Sequence, residues 1–221
     1  MIQDHDNLIT ALNNKCKLII GDGFILKQSN GDGDGHRIIM YNNIGHLKAV
    51  NRLDGSAASE VDVYNWFGCY YLYVEVKFVF APKVPRGKRT AKVVVNQCSI
   101  SISVFKLLDE KFIQLFRAEW DDFEDNHSPH PQPHWHITSD TSVANTFDEY
   151  AREFGEDGFM NILNSEKEQI SSLNKFHFAM KGKWEEDMTH SMSIESSEQV
   201  SNWFAGLLNS IRTELEYIDK K

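Results

Sequence analysis

The 221-residue chain has no run of about 18 consecutive apolar residues, the length that a membrane-spanning helix needs. Its first residues, MIQDHDNLITALNN, have neither the basic start nor the apolar centre of a secretory signal. Cysteine is scarce: Cys16, Cys69 and Cys98 are widely spaced and form no CxxC pair, which excludes a zinc ribbon and a disulfide framework. These absences predict a cytoplasmic protein with reduced thiols and no membrane span.

An excess of positive charge is also missing. The 32 acidic and 23 basic side chains give a formal net charge of −9, so the protein as a whole would repel a polyanion. One segment, PKVPRGKRTAK, has the opposite charge, and its proline and glycine predict a loop at a hairpin tip. We interpret it either as a solubilising tip or as a contact for a phosphate-containing substrate. Its basic residues are Lys83, Arg86, Lys88, Arg89 and Lys92.

Apart from these absences, the amino-acid composition is typical of a globular domain. Apolar residues make up 41% of the chain and charged residues 25%, and no internal repeat, low-complexity tract or linker is visible. One domain over residues 1–221 is therefore the simplest prediction. Strand-like runs fill the first half and helical patterns are concentrated in the second. This segregation predicts an α+β fold, in which helices pack on one face of a mainly antiparallel sheet.

The strand pattern is clearest in GCYYLYVEVKFVFA, where alternate positions from Tyr70 to Phe80 are apolar or aromatic. Its predicted partner is AKVVVNQCSISISVF. Earlier in the chain we expect a short helix over residues 4–13, a strand over residues 17–28 and a hairpin to HRIIMYNN. Later strands are expected at KFIQLFRAEWDD, PHWHIT and NKFHFAMKGKW.

Two helices are predicted in the second half. TSVANTFDEYAREFG has apolar residues at helical spacing, and so does the C-terminal segment from Val200 to Ile218. Ser196, three residues before Gln199, fits a capping box and places the start of the C-terminal helix. We expect this long amphipathic helix to pack on the sheet.

The segment HSPHPQPHWHITSD contains four of the nine histidines. Side chains alternate between the two faces of a strand, so His134 and His136 share a face that Trp135 does not. His127 and His130 lie among prolines in a predicted loop. The same alternation places Arg117, Glu119 and Asp121 together on the polar face of the preceding strand, and gives His177 a polar face on the following one. If the three strands are neighbours, one surface collects all of these groups.

This surface has the chemistry of a metal site. The imidazoles of an HxH pair start about 7 Å apart at the backbone, from which both can reach one divalent ion. Glu119 or Asp121 would be the third ligand, leaving a position for a water molecule that zinc, manganese or iron would activate. His177 and Arg117 would then stabilise an anion. The predicted activity is hydrolysis of a phosphoester, with nucleic acid as one candidate substrate.

Other interpretations of the same residues stay open. In a metal-free site, one histidine would act as base and another as acid, while Arg117 or Lys175 holds the substrate. The histidines could also be no more than a polar sheet face. No known histidine motif is complete: Asp140 stands where the cupin motif has glutamate, and Thr138 interrupts the HxHxDH pattern of metallo-β-lactamases.

A non-enzymatic function is the alternative from a different class. An adaptor or regulatory protein would bind a protein partner through the segment WFGCYYLY together with the C-terminal helix. Aromatic residues are enriched in the cores of protein interfaces, although they also pack within sheets. The residues concerned are Trp66, Phe67, Tyr70, Tyr71 and Tyr73.

Overall fold

The structure is a computed structural model, and it describes residues 5–29, 37–42, 47–53, 58–83, 92–121, 131–137, 177–180, 192 and 194–220. Two helices and nine strands are formed by these residues, which confirms the predicted α+β class. The helices are α1 (His5–Ile19) and α2 (Ser197–Ile218). The strands are β1 (Leu26–Gln28), β2 (Arg37–Asn42), β3 (Leu47–Arg52), β4 (Ala58–Phe67), β5 (Tyr70–Lys83), β6 (Lys92–Leu108), β7 (Lys111–Asp121), β8 (His134–Ile137) and β9 (His177–Ala179).

The strands form an antiparallel sheet in the order β1-β2-β5-β6-β7-β8-β9, and β4 pairs with both β3 and β5. The predicted partnership of the two long strands β5 and β6 is confirmed: they pair from Tyr70–Lys106 to Lys83–Lys92, with one register shift between Val79 and Phe80. Between β6 and β7 the chain reverses through only two residues, Asp109 and Glu110, whose φ angles are 44° and 64°. Two central residues with positive φ are typical of a type I′ hairpin turn, which sets the register of β7 against β6.

One face of the sheet and the two helices enclose the main core. The alternate residues Leu72, Val74, Val76 and Phe78 of β5 are fully buried there. Helix α2 contributes a row of buried apolar side chains to the same core, and it packs beside α1. Its start is as predicted, because the Ser196 side chain accepts a hydrogen bond from the backbone N–H of Gln199. Within the described residues no helix is long and apolar enough to cross a membrane.

The N-terminal helix differs from the prediction. It extends to Ile19 instead of ending at residue 13, so residues 17–19 are helical and the strand is limited to Leu26–Gln28. The reason is that Cys16 continues the buried row of Leu8 and Leu12 at helical spacing, which favours another turn of helix. The helix predicted in TSVANTFDEYAREFG lies outside the described residues, as do His127 and His130.

The opposite face of the sheet is also covered in part. A second apolar cluster lies between this face and the β3–β4 hairpin, and its buried residues are Ala49, Val63, Tyr73 and Phe105. Polar side chains tie the hairpin to the sheet: Asn51 Oδ1 accepts hydrogen bonds from Ser103 Oγ at 2.7 Å and from Gln114 Nε2 at 3.2 Å. The layer between the hairpin and this face therefore contains both polar and apolar contacts.

The aromatic segment predicted as a partner surface is largely internal. Trp66, Tyr70 and Tyr73 are buried, whereas Phe67 and Tyr71 are partly buried. Phe67 contacts the rings of Trp66 and Tyr70. Most of the aromatic surface expected to bind a partner thus packs within the protein itself.

Candidate metal centre

The three strands expected to carry the site are neighbours. Strand β7 pairs with β8, which places Glu119 opposite His134 and Arg117 opposite His136. Strand β8 pairs with β9, which places His136 opposite His177. Residues directly opposite each other in an antiparallel pair have their side chains on the same face. The sheet therefore brings the predicted residues of β7 and β8 to one side, and the backbone of His177 lies beside them in β9.

Gln132 fixes the start of β8 against the end of β7. Its Oε1 accepts from the backbone N–H of Asp121 and its Nε2 donates to Asp121 Oδ2, both at 3.0 Å. The next residue, Pro133, accepts a hydrogen bond from the Met180 backbone N–H beyond β9. Asp121 thus contacts Gln132, and its role in the structure is to hold the strand register.

Three potential ligand atoms converge on the histidine side of β7 and β8. The Nε2 atoms of His134 and His136 are 2.6 Å apart, and His136 Nε2 is 3.4 Å from Glu119 Oε2. One ligand atom from each of the three residues lies within 4.8 Å of both others, and within the described part of the chain no other group of His, Cys, Asp or Glu does so. The predicted set of two histidines and one acid is therefore present, with Glu119 as its acid.

The cluster is more enclosed than its polar sequence pattern suggests. His134 is 1% exposed and His136 is 5% exposed, although both face away from the main core. The Glu119 side chain retains 18% exposure. A ligand or a water molecule would therefore approach from the Glu119 side.

Arg117 balances the charge of the carboxylate. Its Nη2 lies 3.1 Å from Glu119 Oε2, and the guanidinium is itself buried. Burial by itself would raise the pKa of Glu119, but the hydrogen bond to His136 and the positive charge of Arg117 outweigh it, so this pKa lies below its usual value. Glu119 is consequently ionised at neutral pH, as a metal ligand must be.

The distances can be compared with those of a coordinated ion. With zinc–nitrogen bonds of about 2.0–2.1 Å, two ligand atoms in a tetrahedron are about 3.3 Å apart. The distance of 3.4 Å between His136 Nε2 and Glu119 Oε2 already matches this ligand–ligand distance. The two histidine nitrogens, at 2.6 Å, would have to separate by about 0.7 Å, a small rotation of either ring. Two of the three ligand–ligand distances are therefore close to those around one small divalent ion, and the third lies within the 4.8 Å that the three ligand atoms span.

The other residues predicted for the site are not part of the group of three potential metal ligands. Arg117 contacts Glu119, so its charge acts on the cluster itself. His177 belongs to β9 by its backbone pairing with His136. Lys83 and Lys92 end β5 and begin β6, opposite each other, and the basic residues between them lie outside the described residues. The basic loop therefore stays a prediction.

Gln132 is the residue whose role the sequence analysis missed. Strand alternation does contain the signal, because Gln132 precedes His134 by two residues and Asp121 follows Glu119 by two. In the antiparallel register that pairs Glu119 with His134, these two residues must also lie opposite each other.

No protein-family model, curated protein or solved structure matches this chain. Its function is therefore argued from the geometry of its own residues.

Proposed function

We propose that Glu119, His134 and His136 bind one divalent metal ion and that the protein is a metal-dependent hydrolase of phosphoesters. The observation that carries the proposal is the convergence of three ligand atoms within 4.8 Å at the junction of two strands. Rigid strands hold ligands more accurately than loops do, and here the pairing of β7 with β8 sets the position of all three.

The donor set indicates the class of metal and of reaction. Two imidazoles and a carboxylate suit zinc, manganese or iron. Three protein ligands leave at least one coordination position for water, and a bound water molecule becomes acidic enough to supply hydroxide near neutral pH. A hydrolase is the class of enzyme that uses such a water molecule.

Local charge supports an anionic substrate. Histidine ligands are neutral when they bind a metal, so a divalent ion, the Glu119 carboxylate and the Arg117 guanidinium together have a net charge of about +2. The whole chain, in contrast, has a formal charge of −9. A phosphoester would be attracted to this one region, where the positive charge can also stabilise the charge that develops during hydrolysis.

A metal-free acid–base site is the second candidate, and one contact favours it. At an Nε2–Nε2 separation of 2.6 Å, the N–H of one histidine ring donates a hydrogen bond to the bare nitrogen of the other. Two imidazoles that share a proton in this way could act as an acid and a base. The metal content of the protein distinguishes the two candidates.

The direct test is metal analysis of tag-free protein and of two variants. We expect about one equivalent of metal in the wild type after dialysis against zinc, and little in His134→Ala/His136→Ala. Glu119→Gln keeps the shape of the side chain but removes its charge, and it should weaken metal binding by at least about tenfold. His127→Ala/His130→Ala removes the same number of histidines and should retain the metal.

Activity is measured on the same proteins with a chromogenic phosphodiester and a phosphomonoester. We expect hydrolysis that a chelator removes and that added metal restores. Activity that persists in metal-free protein would favour the acid–base alternative. Negligible metal in the wild type and in both histidine variants would contradict the metal centre itself.

A further inference from the structure

A groove of about 470 Å³ lies between helix α2 and the end of the sheet. One wall is formed by Ile211, Leu215 and Ile218, which follow one side of the helix, and the other wall is formed by Phe116 and Trp135. Ser210 and Glu214 line the groove one helical turn apart. Pockets of about 300–1,000 Å³ hold small organic ligands, so this groove has the size of a ligand site.

The groove is separate from the metal centre. Trp135 lies between His134 and His136 in β8, and neighbouring side chains of a strand point to opposite faces. The histidine cluster therefore occupies one side of the strand, and the groove the other. A ligand in the groove would not contact the proposed metal ion.

The chemistry of the lining indicates what kind of ligand fits. The walls are apolar, and the rings of Phe116 and Trp135 are in edge-to-face contact with centroids 5.2 Å apart. The charged residue of the lining is the exposed carboxylate of Glu214, on a molecule whose formal charge is −9. An apolar ligand with one positive charge complements both features.

We propose that this groove is a binding site for a small amphipathic organic cation, such as an arylalkyl amine. The apolar part of the ligand lies against Ile211, Leu215 and the aromatic pair, and the ammonium group lies at the Glu214 rim. This inference is independent of the proposed hydrolase function.

Calorimetric titration with three probes of similar shape tests the proposal. Phenylbutylamine is the cation, phenylbutanol is the neutral analogue and phenylbutyrate is the anion. We expect the amine to bind roughly fivefold more tightly than the alcohol, because the Glu214 carboxylate favours the positive charge. The anion should bind most weakly.

Two pairs of variants locate the site. Glu214→Gln should weaken binding of the amine by about fivefold and leave the alcohol unchanged. Its control is Glu216→Gln on the same helix, a residue that instead pairs with Arg212. Ser210→Trp should fill the groove and weaken binding of both ligands, whereas Asn209→Trp, at the neighbouring exposed position, should not. None of these variants should change the metal content.

Several results would overturn the proposal. One is equal affinity for the amine and the alcohol. Another is an equal loss of amine affinity in Glu214→Gln and Glu216→Gln. A third is no binding of any probe at millimolar concentration. Equal losses would mean that the amine responds only to the general negative charge. Concentration-dependent dimerisation that Ser210→Trp abolishes would assign the groove to a second copy of the chain instead.

Discussion

Cys16 shows how burial determines the chemistry of a single side chain. The residue is fully buried between α1 and the core. Burial raises the pKa of its thiol to about 12, and a backbone hydrogen bond offsets only part of this effect. At pH 8 the reactive thiolate is then only about one part in ten thousand, and no reagent can approach it. Cys69, in contrast, is partly exposed.

We therefore expect a thiol reagent to modify Cys69 in the folded protein and to leave Cys16 unmodified. Peptide mass spectrometry after a short incubation with iodoacetamide measures both sites in one sample. The same protein in denaturant, where all three cysteines should react, is the control. Modification of Cys16 at the rate of Cys69 in native buffer would show that this part of the core opens readily.

Side-chain direction was predictable at the level of single residues, but burial was not. The faces of Glu119, His134 and His136 follow from position along a strand, because alternation is a property of the extended backbone. Their burial depends on tertiary packing, which strand alternation does not describe. Asp121 satisfies the same pattern as Glu119, and only its contacts with Gln132 give it a different role.

At the scale of elements, the β6–β7 hairpin has an unfavourable residue at its turn. Asp109 and Glu110 both adopt positive φ, which costs a residue with a Cβ roughly 1 kcal/mol. Asp tolerates this conformation better than Glu does, and glycine adopts it freely. This hairpin connects β6 to β7, the strand that carries Arg117 and Glu119.

Replacing Glu110 by glycine should stabilise the protein by about 0.5–1 kcal/mol, because the relief of strain exceeds the entropy that glycine adds to the unfolded chain. Equilibrium unfolding in urea measures the difference in the free energy of unfolding. Glu110→Ala removes the same carboxylate but keeps the Cβ, so it should give no such gain. A loss of stability in Glu110→Gly would mean that the glutamate side chain makes a stabilising contact.

Elements with strong local signals were predicted well. Helix α2 has both a cap at Ser196 and regular apolar spacing, and each is a property of neighbouring residues. The end of α1 has no comparable signal, since residues 17–19 suit a helix or a strand equally and are helical because Cys16 packs on the core. Tertiary packing decides such segments.

At the scale of the whole molecule, one contact joins the sheet to the far end of the chain. The Tyr70 hydroxyl at the start of β5 donates a hydrogen bond of 2.9 Å to Oδ1 of Asp219, the residue that caps the end of α2. Lys106 Nζ approaches the same oxygen at 3.4 Å and lies over the Tyr70 ring. The C-terminal helix is thus fixed to the sheet by a phenol, a carboxylate and an ammonium group.

This contact makes the stability of the protein depend on pH in the alkaline range. Burial raises the pKa of Tyr70, and the hydrogen bond to Asp219 raises it further, so the folded state favours the neutral phenol more than the unfolded state does. The stabilisation is present below the ordinary tyrosine pKa of about 10 and is lost as the pH rises through the higher pKa of the folded state.

Tyr70→Phe tests this link between the sheet and the helix. At pH 7 the variant should be less stable than the wild type by about 1 kcal/mol, because it lacks the hydrogen bond to Asp219. As the pH rises above about 10, the wild type should lose stability faster than the variant, so that their free energies of unfolding converge. Tyr71→Phe removes the hydroxyl of the next residue in β5 but keeps the ring beside Phe112, and it should follow the wild type. Parallel pH profiles for Tyr70→Phe and the wild type would mean that this phenol titrates alike in the folded and unfolded chains and does not couple α2 to the sheet.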